Sequence, residues 1–112
     1  MDDRLYAFAK ALGTLRRAVG KDDIPAVWLE FFIAVVQHGE AGVTTQELIG
    51  ELGMSQGNAS RIVKILSRFY NHHKKESDGL DLIVTAPDPH YRHRQRLFVS
   101  EHGKAVVAEL KK

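Results

Sequence analysis

Apolar side chains recur at spacings of three and four through residues 4 to 19, where Leu5, Phe8, Ala9, Leu12, Leu15 and Val19 form one stripe. That period predicts an amphipathic helix, which Gly20 ends. The next apolar run follows Asp22 and Asp23, two residues suited to a helix start, with Pro25 in the first turn. Trp28, Leu29, Phe31, Phe32, Val35 and Val36 leave this second helix few polar sides, so it is expected at the centre, ending at His38-Gly39. Thr44-Thr45-Gln46-Glu47 has the form of a capping box and predicts a short third helix with Leu48, Ile49 and Leu52 on its apolar face. Gly53 permits the left-handed conformation that stops that helix, and Ser55 is placed to cap a fourth beginning at Gln56. In the fourth, Ala59, Ile62, Val63, Ile65, Leu66 and Phe69 gather on one side at about 3.6 residues per turn. Gln56, Gly57, Ser60, Arg61, Lys64 and Arg68 fall on the other.

Beyond residue 80 the pattern changes. Leu82-Ile83-Val84-Thr85 and Arg96-Leu97-Phe98-Val99 are β-prone runs, and the stretch between them, Pro87 to Gln95, is rich in turn formers and positive charge. A hairpin with a basic tip is expected there. Past Ser100, residues Glu101 to Leu110 have helical composition, with Ala105, Val106 and Leu110 able to pack. The elements predict a mainly α fold with a small β-hairpin, a winged helix-turn-helix forming one domain over residues 1–112. Its parts are an N-terminal helix at 1–20, a helix-turn-helix at 44–69, a wing at 82–99 and a C-terminal helix at 101–112.

Composition narrows the function. With 112 residues and 44% apolar content the chain can bury one core. No apolar run reaches the length of a membrane span, and the acidic, amphipathic start does not resemble a signal peptide, so a cytoplasmic protein away from membranes is expected. The absence of cysteine excludes a disulfide framework, a thiolate zinc site and a cysteine redox sensor. Six histidines include no H-E-x-x-H pair, and the side chains of adjacent His72 and His73 are expected to point apart, which argues against a metal site. There is no glycine-rich phosphate loop and no nucleophile elbow, so neither an enzyme nor a cofactor is expected. The net charge of +2 conceals a division: residues 1–54 hold five Lys/Arg against eight Asp/Glu, and residues 55–112 hold eleven against six. A basic half beside an acidic one suits a phosphate-binding footprint, although a solvated basic face has the same composition.

Leu48 to Phe69 fits the helix-turn-helix pattern, with apolar Ala59 six residues after the turn glycine. Ile49, four residues before that glycine, stands where a small residue is usual; the large and small partners are exchanged, which conserves volume. Ser55, Gln56, Asn58, Ser60, Arg61 and Lys64 are the candidate DNA contacts of the fourth helix, with Asn58 expected nearest the core side. Arginine pairs bidentately with guanine, and glutamine or asparagine with adenine. Arg92, Arg94 and Arg96 are the candidate contacts of the wing, to phosphates or the minor groove. Their alternative role is to protect an exposed hairpin edge with charge. Lys74 and Lys75 read as general solubilising charge.

Three stretches resemble the MarR family of transcriptional regulators. Residues 32–39, Phe32 to Gly39, resemble the helix entering its DNA-binding lobe; residues 52–63, Leu52 to Val63, resemble its turn and recognition helix. Asp88-Pro89-His90-Tyr91-Arg92-His93, followed by Leu97 to Gly103, resembles its wing and the turn into the next helix. The resemblance implies a double-stranded DNA-binding regulator that forms a homodimer through its terminal helices; it names no effector. This chain departs from the pattern in three places. Tyr91-Arg92-His93 replaces the wing's usual Asp-x-Arg, Tyr70 to Leu80 is longer than the usual link to the wing, and one short helix follows the wing where the family has long ones. The competing reading is a winged-helix module that binds a protein of the transcription or replication machinery.

Overall fold

The computed structural model describes residues 2–67, 79–91 and 93–112. Among the described residues, five helices and three short strands follow one another: α1 (Asp3–Val19), α2 (Ala26–His38), β1 (Val43–Thr44), α3 (Thr45–Leu52), α4 (Gln56–Leu66), β2 (Ile83–Pro87), β3 (Gln95–Val99) and α5 (Glu101–Leu110), with a 3-10 turn at Gly39–Ala41. None of these helices is long and apolar enough to cross a membrane.

Local chemistry sets most helix starts. The Asp2 carboxylate accepts from the backbone N–H groups of Arg4 and Leu5, the Thr44 hydroxyl from Glu47, the Ser55 hydroxyl from Asn58 and the Ser100 hydroxyl from Gly103. The Thr44 half of the expected capping box forms; Glu47 is exposed, and no return bond from its side chain occurs among the described residues. Pro25 stands at the N-cap of α2, one position before the first turn in which it was expected. Gly20 and Gly53 close α1 and α3 in the left-handed conformation, as their sequence positions predict. The fourth helix ends earlier than expected, because Ser67 turns into extended backbone. Arg68 and Phe69 lie outside the described residues, as do His72, His73, Lys74, Lys75 and most of the 70–80 link.

Phe31, Phe32 and Val35 of α2 are wholly buried, and they form one cluster with Leu48 from α3, Ala59, Ile62 and Leu66 from α4, and Val43, Ile83 and Leu97 from the strands. Burying a phenylalanine or leucine contributes about 1.5 to 3 kcal/mol, so this cluster is what fixes the helix-turn-helix against the wing. Ile49 packs against the same core that holds fully buried Ala59. The sheet runs β1-β3-β2, all antiparallel, so β3 is central and Pro87 sits on the edge strand, where its missing N–H is tolerated. The expected hairpin is therefore two strands of a three-stranded sheet. Two residues, Val43 and Thr44, are too short a run for a period-two signal, and only their pairing with Leu97 and Arg96 makes them a strand.

The last helix is seated directly on the sheet. A Cβ at Gly103 would fall on the Leu82 carbonyl and the Val99 side chain, so only glycine allows this approach. On α5 Val106 is buried, whereas Ala105, expected to pack, is exposed. The stripe on α1 is covered at one end only: Leu15 is buried, but Leu5 and Phe8 are 68% and 63% exposed.

Candidate nucleic-acid interface

The fourth helix divides as its sequence predicts. Ala59, Ile62, Val63 and Leu66 are buried, while Gln56, Ser60, Arg61 and Lys64 are exposed. Asn58 is a correction: expected nearer the core side, it is exposed, and its Oδ1 accepts from Arg61 Nη2 at 3.2 Å. The pair lies one turn apart on the helix surface, so Asn58 orients the guanidinium along the exposed face. Ser55 is also exposed, and its hydroxyl caps the helix through the Asn58 N–H at 3.2 Å.

Three backbone bonds tie the wing to the far end of this helix. The N–H groups of Leu80, Asp81 and Leu82 donate to the carbonyls of Ile65, Ser67 and Leu66, at 2.9, 3.2 and 2.7 Å. Carbonyls that a helix end leaves unpaired are satisfied in this way, and the origin of β2 is fixed on α4. Asp81 adopts a left-handed φ of 54°, uncommon for a residue with a Cβ, and its carbonyl accepts from the Ser100 hydroxyl.

At the tip, the Asp88 N–H donates to the Arg94 carbonyl and the Arg94 N–H to that of Tyr91, both at 2.9 Å. The Arg94 guanidinium lies 4.8 Å from the centre of the Tyr91 ring, a cation–π contact. Arg94 and His93 are exposed, and Arg92 lies outside the described residues. The wing tip then meets the helix-turn-helix: His93, Arg94 and Gln95 share a concavity of about 280 Å³ with Gln56 and Ser60 of α4 and Thr45 and Gln46 of α3. Gln95, His93, Thr45 and Gln46 are not among the contacts expected from sequence. Thr45 and Gln46 carry a signal only as part of a helix cap, and nothing local connects them to a wing so distant along the chain.

Arg96 is the second correction. Expected on DNA, it is turned into the protein: Nη2 donates to Asp88 Oδ2 at 3.1 Å, and Nη1 donates to the carbonyls of Ala41 and Gly42 at 3.1 and 3.3 Å. With its fork occupied and its side chain 23% exposed, Arg96 has little left for a phosphate. Its Asp88 partner is almost wholly buried. The backbone N–H of His90, at 2.8 Å, holds the Asp88 carboxyl below its ordinary range; burial opposes this, and Arg96 and the Tyr91 N–H reinforce it.

No protein-family profile and no curated protein matches the chain. Two solved structures share its architecture. The PcaV transcriptional regulator from Streptomyces coelicolor, crystallised with its natural ligand, superposes with a TM-score of 0.61 over 96% of this chain and 66% of that one, at 18% identity. A mutant of MepR from a multidrug-resistant S. aureus clinical isolate gives 0.62 over 96% and 67%, at 17% identity. Both are MarR-family winged-helix structures. The fold is the winged helix that those two structures share. This chain spans about two thirds of the length of either structure. In the terms of that fold, α3, the Gly53 turn and α4 are the helix-turn-helix, and β2 and β3 are the wing.

Proposed function

We propose that the chain is a sequence-specific, double-stranded DNA-binding transcriptional regulator, with α4 in the major groove and the wing tip on the adjacent backbone or minor groove. The observation that carries this reading is the convergence of the exposed face of α4 and the basic wing tip on one polar concavity. A major groove about 12 Å wide accepts one helix, and a basic hairpin beside that helix reaches the flanking phosphates. Arg61, oriented by Asn58, reads guanine. Gln56 and Ser60 meet base edges near the start of the helix, Asn58 adds a base contact through its amide nitrogen, and Ser55 donates to a phosphate while it caps. Lys64 and Arg94 neutralise phosphates, and Arg92, next to the tip in sequence, is assigned the same role. The role is binding, with no catalysis.

A homodimer completes the proposal. The exposed Leu5 and Phe8 of α1, with Val107 and Leu110 of α5 only half-buried, offer apolar surface to a second copy.

Site selection from a random duplex pool, followed by mobility shift at physiological salt, tests the reading. A defined consensus bound far more tightly than random duplex is expected. Weak, sequence-independent binding that disappears near physiological salt overturns it in favour of a protein-binding module.

A further inference from the structure

Besides the shared core and the β1–β3 pairing, polar bonds tie the wing to the helix-turn-helix at two places, and the second of these joins distant parts of the chain. Asp88 follows directly on β2 and Arg96 lies in β3, so the pair sits beneath the tip. One carboxylate oxygen of Asp88 accepts the N–H groups of His90 and Tyr91, at 2.8 and 3.2 Å, and thereby fixes the turn. The other accepts Arg96 Nη2, and the opposite arm of the same guanidinium holds the carbonyls of Ala41 and Gly42. Those two carbonyls belong to the connection from α2 to β1, and Thr44, at the end of β1, caps α3. A continuous polar path therefore runs from the tip, through two side chains, to the start of the helix-turn-helix.

We propose that Asp88 and Arg96 are positioning residues that fix the wing tip relative to α4, so that Arg94 and the outer face of α4 engage one duplex together. The inference rests on the DNA-binding reading above. The β1–β3 pairing and the shared core hold the base of the wing, whereas the tip's own backbone bonds do not set its direction against the helix. A planar guanidinium does set it, because its fork spans a carboxylate on one side and two carbonyls on the other. Replacing a whole buried ion pair with apolar groups is often neutral for stability, whereas removing one partner is costly, so what this pair adds beyond stability is the geometry of its fork. Lysine at 96 keeps the charge but presents a single nitrogen, which cannot bridge both sides in the same way.

The test compares Asp88→Asn and Arg96→Lys, each in the wild-type chain and in an Arg94→Ala background. Amide hydrogen exchange at His90 and Tyr91, measured without DNA, reads the tie itself; affinity for the selected duplex reads its consequence. Faster exchange at both amides is expected, with affinity falling on the order of tenfold in the wild-type chain, the scale of one lost oriented contact. In the Arg94→Ala background the further loss is expected to be small, because the contact being positioned is already gone. Unchanged exchange overturns the tie, and affinity losses that simply add to that of Arg94→Ala overturn its positioning role. Should Asp88→Asn fail to fold, the Arg96→Lys pair carries the same comparison. A wild-type chain that binds no duplex selectively overturns the DNA reading and the positioning role with it, while the exchange result still reports on the tie.

Discussion

Arg61 leaves α4 on the exposed face, with the Asn58 amide oxygen directing one arm of its fork. It takes no part in the buried core. Arg61→Ala is therefore expected to leave thermal unfolding nearly unchanged and to weaken selective binding by about 1 to 3 kcal/mol, relaxing base preference at one position of the site. Equal losses on selected and random duplexes would make it a phosphate contact instead. Asp88 has the opposite character, buried and committed within the chain. Its carboxyl is held below the ordinary range chiefly by the His90 N–H, so ionisation favours the folded state. The stabilisation is full above the ordinary range of an aspartate in the unfolded chain and is lost as pH falls through the lowered native value. In acid titrations followed by urea unfolding, the stability gap between wild type and Asp88→Asn should close across that acidic window. A gap that persists below it would show that the charge on Asp88 is not its source.

Among elements, the wing and α5 show how far a local signal reaches. The β-prone runs locate β2 and β3 to within about two residues, the usual uncertainty of element ends. Arg94 stands on the exposed turn between them, and its substitution by alanine is expected to flatten the logarithmic salt dependence of DNA binding by about one unit, the share of one phosphate. A slope equal to that of the wild type would remove the wing tip from the interface. The seating of α5 depends on a residue with no side chain. Gly103→Ala must displace the Leu82 carbonyl or the helix, and a loss of about 1 to 3 kcal/mol in urea-unfolding stability is expected from such overpacking. No change would mean that α5 rides loosely on the sheet.

For the molecule as a whole, α1 is the element least accounted for by the chain's own core. Its first half, with Leu5 and Phe8, remains exposed although its apolar spacing matches that of the buried end. A two-fold dimer through α1 and α5 would cover this surface and set two recognition helices roughly 34 Å apart, requiring a pseudo-palindromic site. Sedimentation at micromolar concentration is expected to show a dimer that Phe8→Glu dissociates without loss of monomer folding. A wild-type monomer that binds one half-site as tightly as two would exclude it. Helix order, the caps at Thr44 and Ser55, the turn at Gly53 and the two faces of α4 were all legible along the chain. Each depends on residues within a turn or two of one another, because periodicity and hydroxyl caps are local physics. Folding had to supply the rest: Val43 and Thr44 become a strand, Thr45 and Gln46 come to stand beside the wing tip, and Arg96 points inward. The Ala41 carbonyl that Arg96 holds lies 55 residues earlier in the chain. Where a long basic side chain points is set by the acceptors that folding brings within its reach, and those acceptors leave no trace in the neighbouring sequence.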